Sequence, residues 1–201
     1  MDVFVPFDPR DPNTRLSSVL SAEQRRAFAD AMLTDVLDAI DAAGHEPTVL
    51  STADLDRSRS VVVDDRPLTE AVNGVLDSTT LPVAVVMADL PLVTPETIDR
   101  LLGVDEEVVL APGLGGGTNA FCSRHPDFRV DYHDGSYRKH RRRAAASGLT
   151  VHTVDSFRLA VDIDERADLA EVLLHGTGTA ADWLRDAGFD LDTSGGRCTV
   201  R

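Results

Sequence analysis

Three aspartates and one arginine stand where phosphate chemistry would need them. Asp89 lies in Ala88-Asp89-Leu90-Pro91, directly after the apolar run Val83-Ala84-Val85-Val86-Met87, which reads as a buried strand. A carboxylate delivered to the C-terminal end of a parallel strand reaches the crevice where open α/β sheets bind ligands. There it can hold a hard divalent cation against a phosphate. The plainer reading of Asp89 is a turn residue after a strand. Asp162 and Asp164 lie two apart after Leu159-Ala160-Val161, so they project to the same side of an extended segment. With Asp89 they would form a carboxylate cluster suited to Mg²⁺; Asp164 alone also reads as an N-cap. Arg15 comes after the proline-rich segment behind the first strand. Its guanidinium fork suits phosphate oxygens, and a surface arginine ahead of a helix fits the residue type equally.

Two further stretches read as anion holders. Pro112-Gly113-Leu114-Gly115-Gly116-Gly117-Thr118-Asn119 has four glycines in five residues, which frees the backbone for close approach to a ligand. Successive N–H groups there can form an anion nest, where the alternative is a flexible turn. No Gly-Lys-Ser/Thr follows, so it is not a P-loop, and no third glycine completes a dinucleotide fingerprint. Asp134-Gly135-Ser136 opens a helix whose first turns carry Arg138, Lys139, His140, Arg141, Arg142 and Arg143. Cations at a helix start oppose the macrodipole, so an anion held by Ser136 and the first N–H groups would account for them. At 100° per residue they cannot all face one ligand, and most read as a solvated face paired with acidic neighbours. Gly176-Thr177-Gly178-Thr179-Ala180-Ala181 matches G-x-G-x-x-A by letter but follows a helix, so the match is discarded.

These residues need an alternating α/β framework to position them. Val3-Phe4-Val5 reads as a first strand stopped by Pro6, with Pro6 to Pro12 too proline-rich for regular structure. Ser21-Ala22-Glu23-Gln24 is a capping box, and the helix it opens places Ala29, Met32, Leu33, Val36, Leu37 and Ile40 on one face. Strands come next at Thr48–Leu50 and Val61–Val63, then a helix from Pro67 to Leu76. After the central strand, Thr94 and Pro95 open a helix to Leu102. Val108–Ala111 and Ala120–Cys122 flank the glycine loop as strands; a helix spans Tyr137 to Ser147, and Val151–Val154 is a further strand. Leu159-Ala160-Val161 reads as another, an edge strand open to pairing in a homodimer. A helix covers Leu169 to Leu174, Thr179 caps a last helix with Trp183 and Leu184, and Asp192 to Arg201 reads as a loosely held tail. The expectation is one α/β domain over residues 1–201, a three-layer sandwich with a mostly parallel sheet, core to about residue 187 and tail over 188–201.

Composition narrows the function classes. Asp and Glu outnumber Lys and Arg 34 to 20, and the net charge is −14. Lys139 is the sole lysine. Such a surface repels nucleic acid and anionic membranes, and it suits a chain that stays soluble in strong brine, where the plainer reading is an ordinary acidic cytosolic protein. No apolar run approaches the roughly 20 residues that span a bilayer. The N-terminus lacks the basic start of a signal peptide, and two cysteines, Cys122 and Cys198, make no disulfide framework. A cytoplasmic protein with free thiols is expected.

In chain order, VPF with Thr14-Arg15-Leu16, ADLPLVTPE, GGGTNAF, the DGS-x-x-x-H helix start and VDIDERADL resemble the CofC family. These are the 2-phospho-L-lactate guanylyltransferases, a branch of the GT-A-like nucleotidyltransferases. The resemblance runs from about Val3 to Trp183. It implies a GT-A-like fold and transfer of GMP from GTP to 2-phospho-L-lactate, giving lactyl-2-diphospho-5′-guanosine for coenzyme F(420); bacterial relatives take phosphoenolpyruvate. It further implies Mg²⁺, or Mn²⁺ in its place, on Asp89 with Asp162 or Asp164, and Pro6, Arg15 and Leu68 along the nucleotide. Thr118, Asn119, His133 and Ser136 would serve the acceptor. The family's lysine before Ser/Thr-Arg-Leu is Asn13 here, with Arg10 or Arg15 to compensate, and its Leu-Asn pair is Leu68-Thr69.

The chemistry fits those residues independently. A phosphomonoester is nearly dianionic at neutral pH, its second pKa being about 6, and can attack an α-phosphorus without a strong base. The protein then supplies positioning and charge neutralisation, so no Ser-His-Asp or Cys-His constellation is required. The alternatives are a molybdopterin-type or sugar-phosphate nucleotidyltransferase, or a nucleotide-binding module without catalysis.

Overall fold

The structure is a computed structural model that describes residues 1–196 and 198–201. The chain runs β1 (Asp2–Phe7), α1 (Ala22–Ala42), β2 (Pro47–Ser51), β3 (Ser60–Val63), α2 (Leu68–Ser78) and β4 (Val83–Val86). It continues with α3 (Pro95–Leu102), β5 (Val108–Pro112), β6 (Thr118–Ser123), α4 (Ser136–Ala146) and β7 (Val151–Thr153). Helices α5 (Phe157–Ala160), α6 (Leu169–His175) and α7 (Thr179–Asp186) and the two-residue strands β8 (Leu191–Asp192) and β9 (Thr199–Val200) complete it.

Among the described residues, one sheet has seven strands in the order β3-β2-β1-β4-β6-β5-β7. Every neighbouring pair is parallel except the two that involve β6. Continuous apolar strands such as Val83–Val86, buried at all four positions, require cover on both faces, and the helices provide it. On one face Leu33, Val36, Leu37 and Ile40 of α1 and Ile98 and Leu101 of α3 pack on Val3, Val5, Val49, Ala84 and Val86. On the other, Val72, Val75 and Leu76 of α2, Ala144 of α4 and Phe128 meet Phe4, Leu50, Val83, Val85, Leu110 and Phe121. Val83 and Val85 thus face opposite to Ala84 and Val86, as the twofold period of a strand demands. The result is a three-layer α/β architecture.

Four expectations are corrected. First, β1 continues through Pro6 to Phe7, with Pro6 opposite Leu50 of β2. Strand β1 pairs with β4 only through Phe4, so Pro6 lies beyond the doubly paired section, where a missing donor is tolerated. Second, Leu159-Ala160 belongs to a single helical turn, closed by the Leu159 and Ala160 N–H groups on the Ser156 carbonyl and by Val161 N–H on Phe157. Leu159 is core, not strand edge, so the edge-strand basis for a homodimer is gone. Third, Thr179 is not the cap of α7. The N-cap position is Gly178, and the cap is Asp35 of α1, whose carboxylate accepts from Thr179 N–H (2.6 Å) and Ala180 N–H (2.9 Å). Fourth, the tail is held: β8 pairs with β9, and Val200 is buried in the cluster of α6 and α7. Arg197, within that tail, lies outside the described residues.

Candidate active site

Sheet topology brings the chemistry-bearing residues to one edge. Parallel strands β1, β2, β3 and β4 each deliver the residues just past their C-terminal ends: Asp8 and Arg10, Thr52, Asp64 to Arg66, and Asp89. Antiparallel β6 delivers its N-terminal end instead, Thr118 and Asn119. Its register sets Ala120 opposite Val86, and the Asn119 carbonyl accepts from Met87 N–H at 2.9 Å.

On the β1–β2–β3 side of Asp89 lies a cavity of about 520 Å³, lined by Pro6, Arg10, Asn13, Arg66, Leu68 and Asp89 among others. That volume suits a small-molecule site. Five carboxylates (Asp8, Asp64, Asp65, Asp89 and Asp164) and only two guanidiniums (Arg10 and Arg66) line it. Arg10 is held by the Thr52 carbonyl, and Arg66 by Asp64. Such a wall repels a bare polyphosphate and welcomes one that carries cations.

Asp89 is the most perturbed carboxyl of this edge. Its Oδ1 is sealed from solvent and has no hydrogen-bond partner. Burial raises its pKa to about 7, and the charges of Asp164 and then Asp162 add to the shift. The Asp89 carbonyl accepts from Ile163 N–H at 3.0 Å, which lays Asp162-Ile163-Asp164 against it. An orphaned, buried carboxylate oxygen facing further carboxylates is what a hard cation would satisfy. Among the described residues no three carboxylates, histidines or cysteines converge closely enough to form a cage alone. Asp164 shares the cavity with Asp89, whereas Asp162 does not line it and accepts from Asn119 Nδ2 at 3.1 Å.

The other sequence candidates divide by what they touch. Pro6 and Leu68 line the cavity, but Arg15 does not; its guanidinium is paired with Asp164 at 3.0 Å on the exposed side. Asn13, where the resembling family has lysine, takes the left-handed conformation (φ 49°) and donates to the Ile163 carbonyl at 2.9 Å. It anchors the segment that carries Asp164. Thr69 accepts from Tyr132 N–H and is not in the cavity wall. Asn119 is committed inward: besides Asp162, its Nδ2 donates to the Leu159 carbonyl at 3.0 Å. Gly113 must be glycine for that reason, since a Cβ there would stand 2.4 Å from Asn119 Oδ1.

Thr118 and Ser136 do meet. Ser136 Oγ donates to Thr118 Oγ1 at 3.4 Å, and the Gly116 carbonyl accepts from Tyr137 N–H, docking the start of α4 on the glycine loop. His133 is exposed in the loop ahead of α4 and engages Asp131 Oδ1 at 3.0 Å. Residues missed in the sequence include Asp8, Thr52 and Arg66 of the cavity wall; His140, read there only as part of the helix-start motif and the cationic run, is buried behind Thr118. The strand-end rule could have flagged the first three; the cationic run around His140 hid its burial.

The fold is shared with solved structures of low sequence identity. A Desulfovibrio desulfuricans protein described as a nucleotide-diphospho-sugar transferase superposes with a TM-score of 0.77 at 14% identity, covering 92% of this chain and 94% of its own. A nucleotidyl transferase from Methanothermobacter gives a TM-score of 0.59 at 16% identity over 92% and 99%. In sequence, residues 1–200 match the family described as guanylyl transferase CofC like, and the chain belongs to that family. Relatives named 2-phospho-L-lactate guanylyltransferase occur in Halomicrobium mukohataei, 62% identical over all of this chain and 98% of the relative, and in Haloarcula marismortui, 59% identical with the same coverage.

Proposed function

We propose that this enzyme joins GMP from GTP to 2-phospho-L-lactate, releasing pyrophosphate and forming lactyl-2-diphospho-5′-guanosine, the guanylyl-transfer step of coenzyme F(420) biosynthesis. The observation that carries the reading is Asp89, a half-buried residue with one sealed, unpartnered carboxylate oxygen, in the wall of a cavity of about 520 Å³. Membership of the guanylyl transferase family and the names of its relatives supply the nucleotide and the acceptor.

In this reading GTP occupies the cavity, with Pro6 and Leu68 against the nucleoside and Arg10 near the phosphates. Asp89 and Asp164 would hold Mg²⁺. When bound, Mg²⁺ supplies charge neutralisation at the triphosphate oxygens and at the departing pyrophosphate. Thr118, whose hydroxyl oxygen accepts from Ser136, donates to the anionic end of the acceptor and holds its phosphate for attack on the α-phosphorus. An acceptor phosphate oxygen forms the new P–O bond as the bond from the α-phosphorus to the bridging oxygen breaks. No protein base is needed, because the acceptor is already nearly dianionic. Asn13 and Asn119 act one step removed, pinning Ile163 and Asp162 so that Asp164 keeps its place. No helix among the described residues is long and apolar enough to cross a membrane, and the thiols of Cys122 and Cys198 are free, which suits a reducing cytoplasm.

Pyrophosphate release should be measured with Mg²⁺ and GTP against 2-phospho-L-lactate, phosphoenolpyruvate and no acceptor, with the product identified by mass. Release should require 2-phospho-L-lactate and fall at least about 100-fold in Asp89→Ala. Faster turnover of phosphoenolpyruvate would reassign the acceptor. Absence of release from folded protein with either acceptor would overturn the reading.

A further inference from the structure

His140 is wholly buried in α4, one helical turn after Ser136 and one before Ala144, the three buried residues of that helix. Its ring lies edge-on to Tyr132 and Phe128, with centroids 5.4 Å and 6.0 Å away. Both nitrogens are committed. Nε2 lies 2.7 Å from the Asp131 backbone nitrogen, whose N–H can only donate, so Nε2 carries the lone pair. In the neutral ring the proton then sits on Nδ1, 2.9 Å from Thr118 Oγ1. Ser136 Oγ donates to the same oxygen at 3.4 Å. Two accepted bonds fill both lone pairs of Thr118 Oγ1, and its own proton is left as a donor. No protein acceptor for it occurs among the described residues. A buried donor without an acceptor costs stability unless a ligand takes it.

We propose that His140 is a positioning residue for acceptor binding: the Asp131 backbone fixes its tautomer, and its Nδ1–H turns the Thr118 hydroxyl into a dedicated donor to an anionic oxygen of the acceptor. The inference rests on the acceptor assignment made above and adds to it the residue that sets the hydroxyl's direction. Were the ring to accept from Thr118 instead, that proton would point at His140 and be lost to the ligand. The neutral state this requires is secured by the surroundings. Burial, then the neighbouring Arg143, lower the His140 pKa to about 4; Asp131 opposes them and Lys139 assists. Tyr132, whose hydroxyl burial pushes well above its usual range, adds no charge.

The test compares steady-state kinetics of wild type, H140F, H140Q, T118V and H140F/T118V with GTP and 2-phospho-L-lactate, alongside imidazole ¹⁵N shifts of the wild type from pH 5 to 8. H140F should raise the acceptor KM roughly 10- to 100-fold while kcat and the GTP KM move less than about threefold. H140Q, which carries one donor and one acceptor, should recover much of the loss. In T118V the further change H140F should cost nothing more in acceptor KM, since the effect passes through that hydroxyl. The ¹⁵N shifts should report an Nδ1–H ring that does not titrate in the range. An Nε2–H ring, an unchanged acceptor KM in H140F, or additive H140F and T118V effects would each overturn the inference, and the first is readable even where H140F fails to fold. An inactive wild type sinks the underlying acceptor assignment and this inference with it. An active wild type with an unshifted H140F sinks this inference alone.

Discussion

A carboxyl pushed to about pH 7 is a stability liability that a cation would remove, and at Asp89 the two effects can be separated. The folded Asp89 holds its proton more tightly than the unfolded chain does. Between about pH 4 and 7 the folded state therefore binds more protons, and stability falls as pH rises through that window, by at most about 1.4 kcal/mol per pH unit. Asp164, also raised by burial first and then by Asp162, acts in the same direction. In chelator, the urea midpoint of wild type should drop across the window relative to Asp89→Asn. Millimolar Mg²⁺ should restore it in wild type and do little in the variant. Parallel pH curves with and without Mg²⁺ would mean that Asp89 does not hold the ion. Asp89 was legible in the sequence because a strand followed by Asp-Leu-Pro announces itself locally. That Asp164 and not Asp162 lines the cavity was not. It depends on Asn119, more than forty residues away, donating to one of them, and on Asn13 donating to the backbone between them. Spacing gives the side of the chain on which a carboxylate projects, not the partner that claims it.

Elements long enough to show a period were readable, and those closed by distant partners were not. Helix α1 has its own capping box, Ser21 with Gln24, and a continuous apolar stripe, so its start and its buried face are set by adjacent residues. Helix α5 is one turn of four residues, too short for apolar periodicity to separate helix from strand. Helix α7 starts at Gly178-Thr179 with no local side-chain cap, because Asp35 crosses from α1 to supply it. Gly178 makes room for that approach, since a Cβ there would lie 2.3 Å from Asp35 Oδ1. The glycine-rich Gly176-Thr177-Gly178 stretch is thus a docking surface for a carboxylate of the same chain, not a phosphate loop. Asp35→Ala should lower unfolding free energy by about 1–2 kcal/mol, the usual cost of a lost cap, and Asp35→Asn by less, since it keeps one acceptor. A urea midpoint shifted at constant m-value would show the loss to be local to the folded state. An unchanged midpoint would mean that Asp35 contributes nothing net, its burial having cancelled the two bonds.

At the scale of the whole molecule, a net charge of −14 sets short-range pairing against long-range repulsion. The exposed side of α1 carries Asp30, Asp38 and Asp41, and the loop between β2 and β3 returns Arg57 and Arg59 to meet them. Such surface pairs contribute about 0–1 kcal/mol each, and salt weakens them. Salt also relieves the self-repulsion of every unpaired carboxylate, a sum over the whole surface. With acids outnumbering bases 34 to 20, the repulsive sum outweighs the pairs, so added KCl should stabilise the fold. Most of the gain should fall between about 0.1 and 1 M, where the screening length shrinks from about 10 to about 3 Å. Urea midpoints at roughly 0.1, 1 and 3 M KCl test this, and a flat or falling series would mean that pairing dominates. The same balance predicts the sign for a variant: Arg59→Ala removes the partner of Asp38 and Asp41 and leaves two like charges on one helix face. It should therefore lose more stability at the lowest of these salt concentrations than at the highest, steepening the salt dependence. A loss equal at both would place Arg59's contribution in packing of its stem against α1.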